Sequence, residues 1–140
     1  MTRSLAVRYY MVKDLVTFKP DTEIMHAIQT LVDKKISGAP VVDSRGNLIG
    51  LLSEKDCMRV ALNTNYHGGA GGMVEEFMSR QVQVVEADHS LVEVIEQFEK
   101  LPYRRFPVVE NNRLVGQISR RDVLRALLEF GDQLRPWSGK

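Results

Sequence analysis

Two constellations stand out by residue type and spacing: Gly50, Ser53 and Asp56, then Gly116, Ser119 and Asp122, each a Gly-x-x-Ser-x-x-Asp. Each follows an apolar run and opens a helical pattern, so the serine and aspartate fall where a strand hands over to a helix. A helix start presents unpaired N–H groups and the positive end of the helix dipole, which suit a phosphate. A carboxylate beside it can accept two hydrogen bonds from a ribose diol. A plainer reading fits the same residues: the serine caps the helix and the acid is favoured in its first turn. Both readings stand at this point. Arginines separate the two copies, because the second has Arg104, Arg105, Arg120 and Arg121 where the first has Ser37, Gly38, Glu54 and Lys55. Guanidinium forks match phosphate geometry, so the Asp122 copy makes the better phosphate site. The alternative is a solvated basic rim that compensates acids such as Glu99 and Glu110.

Other candidates are weaker. Gly68-Gly69-Ala70-Gly71-Gly72 lacks the Gly-Lys-Ser/Thr ending of a phosphate loop and reads as a flexible tether. His26, His67 and His89 are too scattered for a metal site, and Cys57 has no histidine near it in sequence and reads as a small core residue. No base–nucleophile pair appears, so no catalysis and no catalytic cofactor are expected. Nineteen basic against eighteen acidic residues leave a net charge of +1, which gives no bulk attraction for nucleic acid or an acidic membrane. A single cysteine excludes an intrachain disulfide and suits a reducing compartment, with cytoplasm the default. No apolar run is long enough to span a membrane.

The elements that must position these residues occur twice. Sliding the 140-residue chain by 67 positions lays Val7 on Val74, Met11 on Met78, Ile28 on Ile95 and Pro40-Val41-Val42 on Pro107-Val108-Val109. One residue is lost in the following turn, after which a shift of 66 lays Gly50, Ser53, Asp56, Arg59 and Leu62 on Gly116, Ser119, Asp122, Arg125 and Leu128. Each copy reads as β-α-β-β-α. The first strand is expected at 16–18 and at 82–85. Asp21 or Thr22 is the expected cap of the first helix, and Ser90 with Glu93 forms a capping box in the second copy. The last helices are expected to bury Met58, Ala61 and Leu62, and Val123, Leu124, Leu127 and Leu128. The fold class is therefore α/β (α+β), two repeats packed with pseudo-twofold symmetry. The expected organisation is repeat one at 7–64, a glycine-rich linker at 65–73, repeat two at 74–130 and a tail at 131–140.

The run Ser37-Gly38-Ala39-Pro40-Val41-Val42-Asp43, then Leu48-Ile49-Gly50-Leu51-Leu52-Ser53-Glu54-Lys55-Asp56, with its second copy Arg105 to Val109 and Gly116 to Asp122, resembles a tandem pair of cystathionine β-synthase (CBS) domains over about residues 7 to 130. The resemblance implies a regulatory module that binds AMP, ADP, ATP, NAD or S-adenosylmethionine in clefts between the repeats. Such modules are found fused to enzymes, transporters and channels or standing alone and commonly pair as dimers; a homodimer is expected for this chain, and the effector expected for it is a separate protein. By resemblance Asp56 and Asp122 bind the ribose, Ser53 and Ser119 lie near ribose or phosphate, and Arg105 reaches the phosphates. In the family a swapped packing sets the first strand of one repeat beside the Ser-x-x-Asp helix of the other. Thr17 and Phe18 would then serve the Asp122 site and Val84 and Val85 the Asp56 site, with Pro40 and Pro107 bordering the adenine slots. A constitutive dimerisation scaffold without a ligand is the competing expectation.

Overall fold

Ile24, Ala27 and Leu31 recur at the spacing of one helix face and are buried in helix α1 (Ile24–Lys34). The structure, a computed structural model, describes residues 5–62 and 71–134. Most of the expected linker, and the end of the expected tail, lie outside them. Beyond α1, Gly38–Val42 forms β1, Leu48–Ser53 β2 and Glu54–Leu62 α2; Val85–Glu86 forms β3, Leu91–Lys100 α3, Arg105–Glu110 β4, Arg113–Ser119 β5 and Arg120–Leu134 α4. Helical geometry breaks at Phe130 within α4. The expected mixed α/β architecture is what forms.

The chain divides into two compact units, one formed by Leu15–Val82 and the other by residues up to Asp14 together with those from Gln83 onward. In the first unit β1 and β2 pair antiparallel, with Phe18 bridging Val41 in parallel at the sheet's other side. In the second, β3 pairs parallel with β4 and β4 antiparallel with β5. The first strand of each repeat is therefore shorter than the apolar run suggests: one bridge at Phe18 and two residues at Val85–Glu86.

The boundaries of these units reveal what is exchanged. The short 3-10 turn Val7–Tyr9 precedes the first repeat's helix, yet Ala6 bridges Ser90 and Val12 exchanges two hydrogen bonds with Gln117, of 2.8 and 2.9 Å. Its counterpart Val74–Glu76 leads to Ser79, which exchanges two 2.9 Å bonds with Leu51. Each unit thus takes its leading segment from the other repeat. This explains the motif glycines. A methyl group on Gly116 would lie 2.6 Å from Met11 Sδ and 2.9 Å from the Val12 carbonyl oxygen; on Gly50 it would lie 2.6 Å from Met78 Sδ and 2.9 Å from the Ser79 oxygen. Only a residue without Cβ lets the segment pair this closely.

Local capping follows the sequence in one repeat and departs from it in the other. Ser90 and Glu93 form the expected capping box at α3. At α1 the cap is Glu23, whose carboxylate accepts from the His26 N–H, while Thr22 Oγ1 accepts from Lys19 N–H. The hairpin turns differ by the missing residue: Asp43 accepts the N–H groups of Arg45 and Asn47 in the first, whereas Asn111 and Asn112 take φ of 53° and 67° in the second, as a tight two-residue hairpin requires. Of the residues expected on the buried faces of the last helices, Val123 is buried, while Met58, Ala61, Leu62, Leu124, Leu127 and Leu128 are exposed; Cys57, Val60 and Ala126 point inward instead. These helices carry apolar residues around more of their circumference than one sheet can cover, so a second apolar stripe is left outside.

Candidate functional site

Both Ser-x-x-Asp motifs sit where the strand ends and the helix begins, and both fold into reciprocal caps. Ser53 N–H donates to Asp56 Oδ2 (2.9 Å) and Asp56 N–H to Ser53 Oγ (3.1 Å). Ser119 N–H and Oγ–H donate to Asp122 Oδ2 (2.8 and 3.0 Å), and Asp122 N–H donates to Ser119 Oγ (3.2 Å). The capping role is real, and it leaves the other carboxylate oxygen, Oδ1, for a different partner. Capping also holds that oxygen in one place. Asp122 is 5% exposed, which makes it the buried charged residue among those described.

The partner of Oδ1 is an arginine three residues further along each helix, outside the Gly-x-x-Ser-x-x-Asp motif. Arg59 Nη1 lies 3.3 Å from Asp56 Oδ1, and Arg125 Nη2 donates to Asp122 Oδ1. The sequence signal was the aspartate–arginine spacing of three on one helix face, present in both copies. Arg59 has a further anchor, because its Nη2 donates to the carbonyl oxygen of Phe77.

The basic residues gather at the second motif. Arg105 stands directly across the β4–β5 pair from Ser119, Arg120 N–H donates to the Arg104 carbonyl (3.0 Å), and Arg120 Nε donates to the Tyr103 carbonyl (3.1 Å). Arg104, Arg105, Arg120 and Arg121 are all exposed around this helix start. In the first unit Gly38 stands across from Ser53, so that junction has no such side chain. Glu110 is not held by these arginines: it pairs with Arg8 at 2.8 Å, which holds its carboxyl below the usual range.

Phe18 pairs with Val41 on the sheet that leads into the Asp56 helix, and Val85 pairs with Val108 on the sheet that leads into the Asp122 helix. The exchanged piece is the segment before each strand: Val12 and Ser79 pair with Gln117 and Leu51 of the other repeat, while Phe18 and Val85 pair within their own. Phe18 and Val85 are buried, Thr17 is exposed and Val84 is partly buried with its carbonyl accepting from Gln97 Nε2. Pro40 and Pro107 are buried within β1 and β4. Burial, then the neighbouring Asp56 and Glu54 carboxylates, pushes the Cys57 thiol up. Cys57 also lines an apolar groove of about 650 Å³ along α1 and α2. Among the described residues no cluster of His, Cys, Asp and Glu could hold a metal ion, and no helix is long and apolar enough to cross a membrane.

The family model of the CBS domain matches residues 7–63 and 74–129. Among solved structures, the chain is similar to CBSX2 crystallised with AMP (TM-score 0.77, 29% identity, 90% of this chain and 98% of that one). It is also similar to a CBS domain pair crystallised with 5-methylthioadenosine and S-adenosyl-L-methionine (TM-score 0.70, 25% identity, 89% and 96%). Curated relatives include an uncharacterized protein of Methanocaldococcus jannaschii, 31% identical over 86% of this chain and 42% of its own length. An inosine-5'-monophosphate dehydrogenase of the same organism is 30% identical over 82% of this chain and 22% of its own length. The chain therefore spans less than half of these two relatives.

Proposed function

The chain belongs to the CBS domain family, and on that premise we propose that it is a regulatory module that senses an adenosine-containing ligand and signals through a change in conformation. The observation that carries the reading is the duplicated carboxylate, Asp56 and Asp122, each fixed by its serine at a helix start with Oδ1 turned to an exposed arginine. A diol can compete for that oxygen. AMP, 5-methylthioadenosine and S-adenosylmethionine, the ligands of the two similar structures, share an adenosine with a free 2′,3′-diol. Asp56 and Asp122 take the ribose, with Ser53 and Ser119 beside it. Arg105, with Arg104, Arg120 and Arg121, favours a phosphate at the Asp122 motif, which points to AMP, ADP or ATP, or to NAD through its diphosphate, ahead of S-adenosylmethionine. The adenine is assigned to the strand edges at Thr17 and Phe18 and at Val84 and Val85, backed by Pro40 and Pro107. The role is binding rather than catalysis, and the single cysteine supports a cytoplasmic setting.

The partner proposed first is a second copy of this chain. Met25 and Val92, Met58 and Leu124, and Leu62 and Leu128 hold equivalent positions in the two repeats, and all six are exposed. A twofold dimer needs the same patch on both partners, and a duplicated apolar face supplies it. An effector protein then reads the dimer. A ligand shifts a conformational population only by its difference in affinity for the two states, so sensing requires more than tight binding.

The test is thermal unfolding against AMP, ADP, ATP, NAD and S-adenosylmethionine with GTP as control. A ligand at about 100 times its Kd adds about 2.7 kcal/mol of stability. A shift with an adenine compound, lost in Asp122→Asn with the fold intact by circular dichroism, supports sensing. A second reading, a constitutive dimeric scaffold, is favoured by the completeness of both serine–aspartate caps, which need no ligand. No shift with any compound and an unchanged dimer would favour it.

A further inference from the structure

Neither ribose carboxylate waits empty. Oδ2 of each is taken by its serine, so a diol must engage Oδ1, where a guanidinium already sits. The two guanidinium groups are held differently. Arg125 has one hydrogen-bond partner among the described residues, Asp122, and its side chain is 55% exposed, so nothing else fixes it. Arg59 is equally exposed, yet it grips two groups at once, Asp56 Oδ1 and the Phe77 carbonyl. Tyr10 is the residue equivalent to Phe77 in the other repeat, and no bond joins it to Arg125 among the described residues.

Resting on the adenosine-ligand reading above, we infer that Arg59 and Arg125 are positioning residues that guard the two carboxylates, and that the second anchor of Arg59 closes the Asp56 site while the Asp122 site stays open. Release of Arg125 costs one ion pair whose guanidinium is exposed but whose carboxylate is buried, and a diol that takes over Oδ1 keeps that carboxylate hydrogen-bonded. The freed guanidinium is exposed and turns to water. Release of Arg59 also strips the Phe77 carbonyl of its donor, and a guanidinium tethered at Phe77 stays against Oδ1 and competes with the diol. The chain accordingly takes one nucleotide at the Asp122 motif.

The experiment is calorimetric titration of the full chain with AMP, comparing wild type with Arg59→Met, Arg59→Lys and Arg125→Met, each first shown to fold by circular dichroism. The expected wild-type stoichiometry is one AMP per chain, lost in Asp122→Asn and kept in Asp56→Asn. Arg59→Met, which keeps the side-chain bulk and removes both anchors, is expected to raise the stoichiometry to two, with the new site lost again when Asp56→Asn is added. Arg59→Lys cannot grip both groups at once and is expected to do the same with weaker effect. Arg125→Met is expected to stay at one. Two equal sites in the wild type, or one site still in both Arg59 variants, would overturn the guard while leaving the sensor reading intact. No AMP binding by the wild type overturns the sensor reading itself and the guard with it.

Discussion

Replacing Gly116 by alanine tests the exchange of leading segments directly. The added methyl would lie 2.6 Å from Met11 Sδ, 2.8 Å from Met11 Cγ and 2.9 Å from the Val12 carbonyl oxygen. The methionine can swing aside. The carbonyl cannot, because it accepts from Gln117 N–H at 2.9 Å while Val12 N–H donates to the Gln117 carbonyl at 2.8 Å. Overpacking of this kind costs about 1–3 kcal/mol. Weakening two backbone hydrogen bonds adds about 0.5–1.5 kcal/mol each. The smaller conformational freedom of alanine in the unfolded chain offsets about 0.4–1 kcal/mol. The sum is a destabilisation of about 3 kcal/mol, which in a chain of this size lowers Tm by about 10 °C. Urea unfolding followed by circular dichroism gives the free energy directly. Gly50→Ala is expected to match it, since Met78 and Ser79 stand in the same places. Adding Met11→Ala should recover only part of the loss, because the carbonyl remains. Gly46→Ala is the control: its φ of 87° costs about 1 kcal/mol but no atom lies within 4 Å. A Gly116→Ala protein with wild-type stability would refute the close pairing of this segment with β5.

Three further outcomes are expected. Ser90→Ala removes the cap of α3 and should cost about 1 kcal/mol in urea unfolding, whereas Thr22→Ala, which is not a helix cap, should leave α1 intact. The Asn47 N–H, more than any other group, holds the Asp43 carboxyl below its usual range, so its contribution is present above the ordinary aspartate value of about 3.9 and is lost as pH falls through and below it. The stability gap between wild type and Asp43→Ala should therefore close on acidification, which urea midpoints from pH 6 to about pH 3 will register. Placing charge on the duplicated apolar face with Leu62→Glu and Leu128→Glu should shift the sedimentation coefficient from dimer to monomer without loss of helical circular dichroism. A monomeric wild type would instead leave that face for an effector protein.

Much of this protein was legible in the chain because it is written twice. A pattern that recurs at a fixed offset fixes the order of elements even where each element is short, and the Ser90–Glu93 box, the β1–β2 and β4–β5 hairpins and the serine–aspartate junctions needed only residues a few positions apart. Local hydrogen bonds depend on local spacing, so local sequence determines them. The tertiary structure decided everything that depends on which apolar surface meets which. The stripe of Met58, Leu62, Leu124 and Leu128 has the spacing of a core face, yet the sheets cover the stripe of Cys57, Val60, Val123 and Ala126 instead. Periodicity shows that a face exists and cannot say which of two is covered. The same holds for the exchanged segments: Val12 and Ser79 could have paired within their own repeats, and only the fold brings them against Gln117 and Leu51, over glycines that leave room for a backbone. The guard on the carboxylates combines both kinds of information. The aspartate–arginine spacing is in the sequence, but the grip of Arg59 on Phe77, eighteen residues away, exists only once the chain has folded.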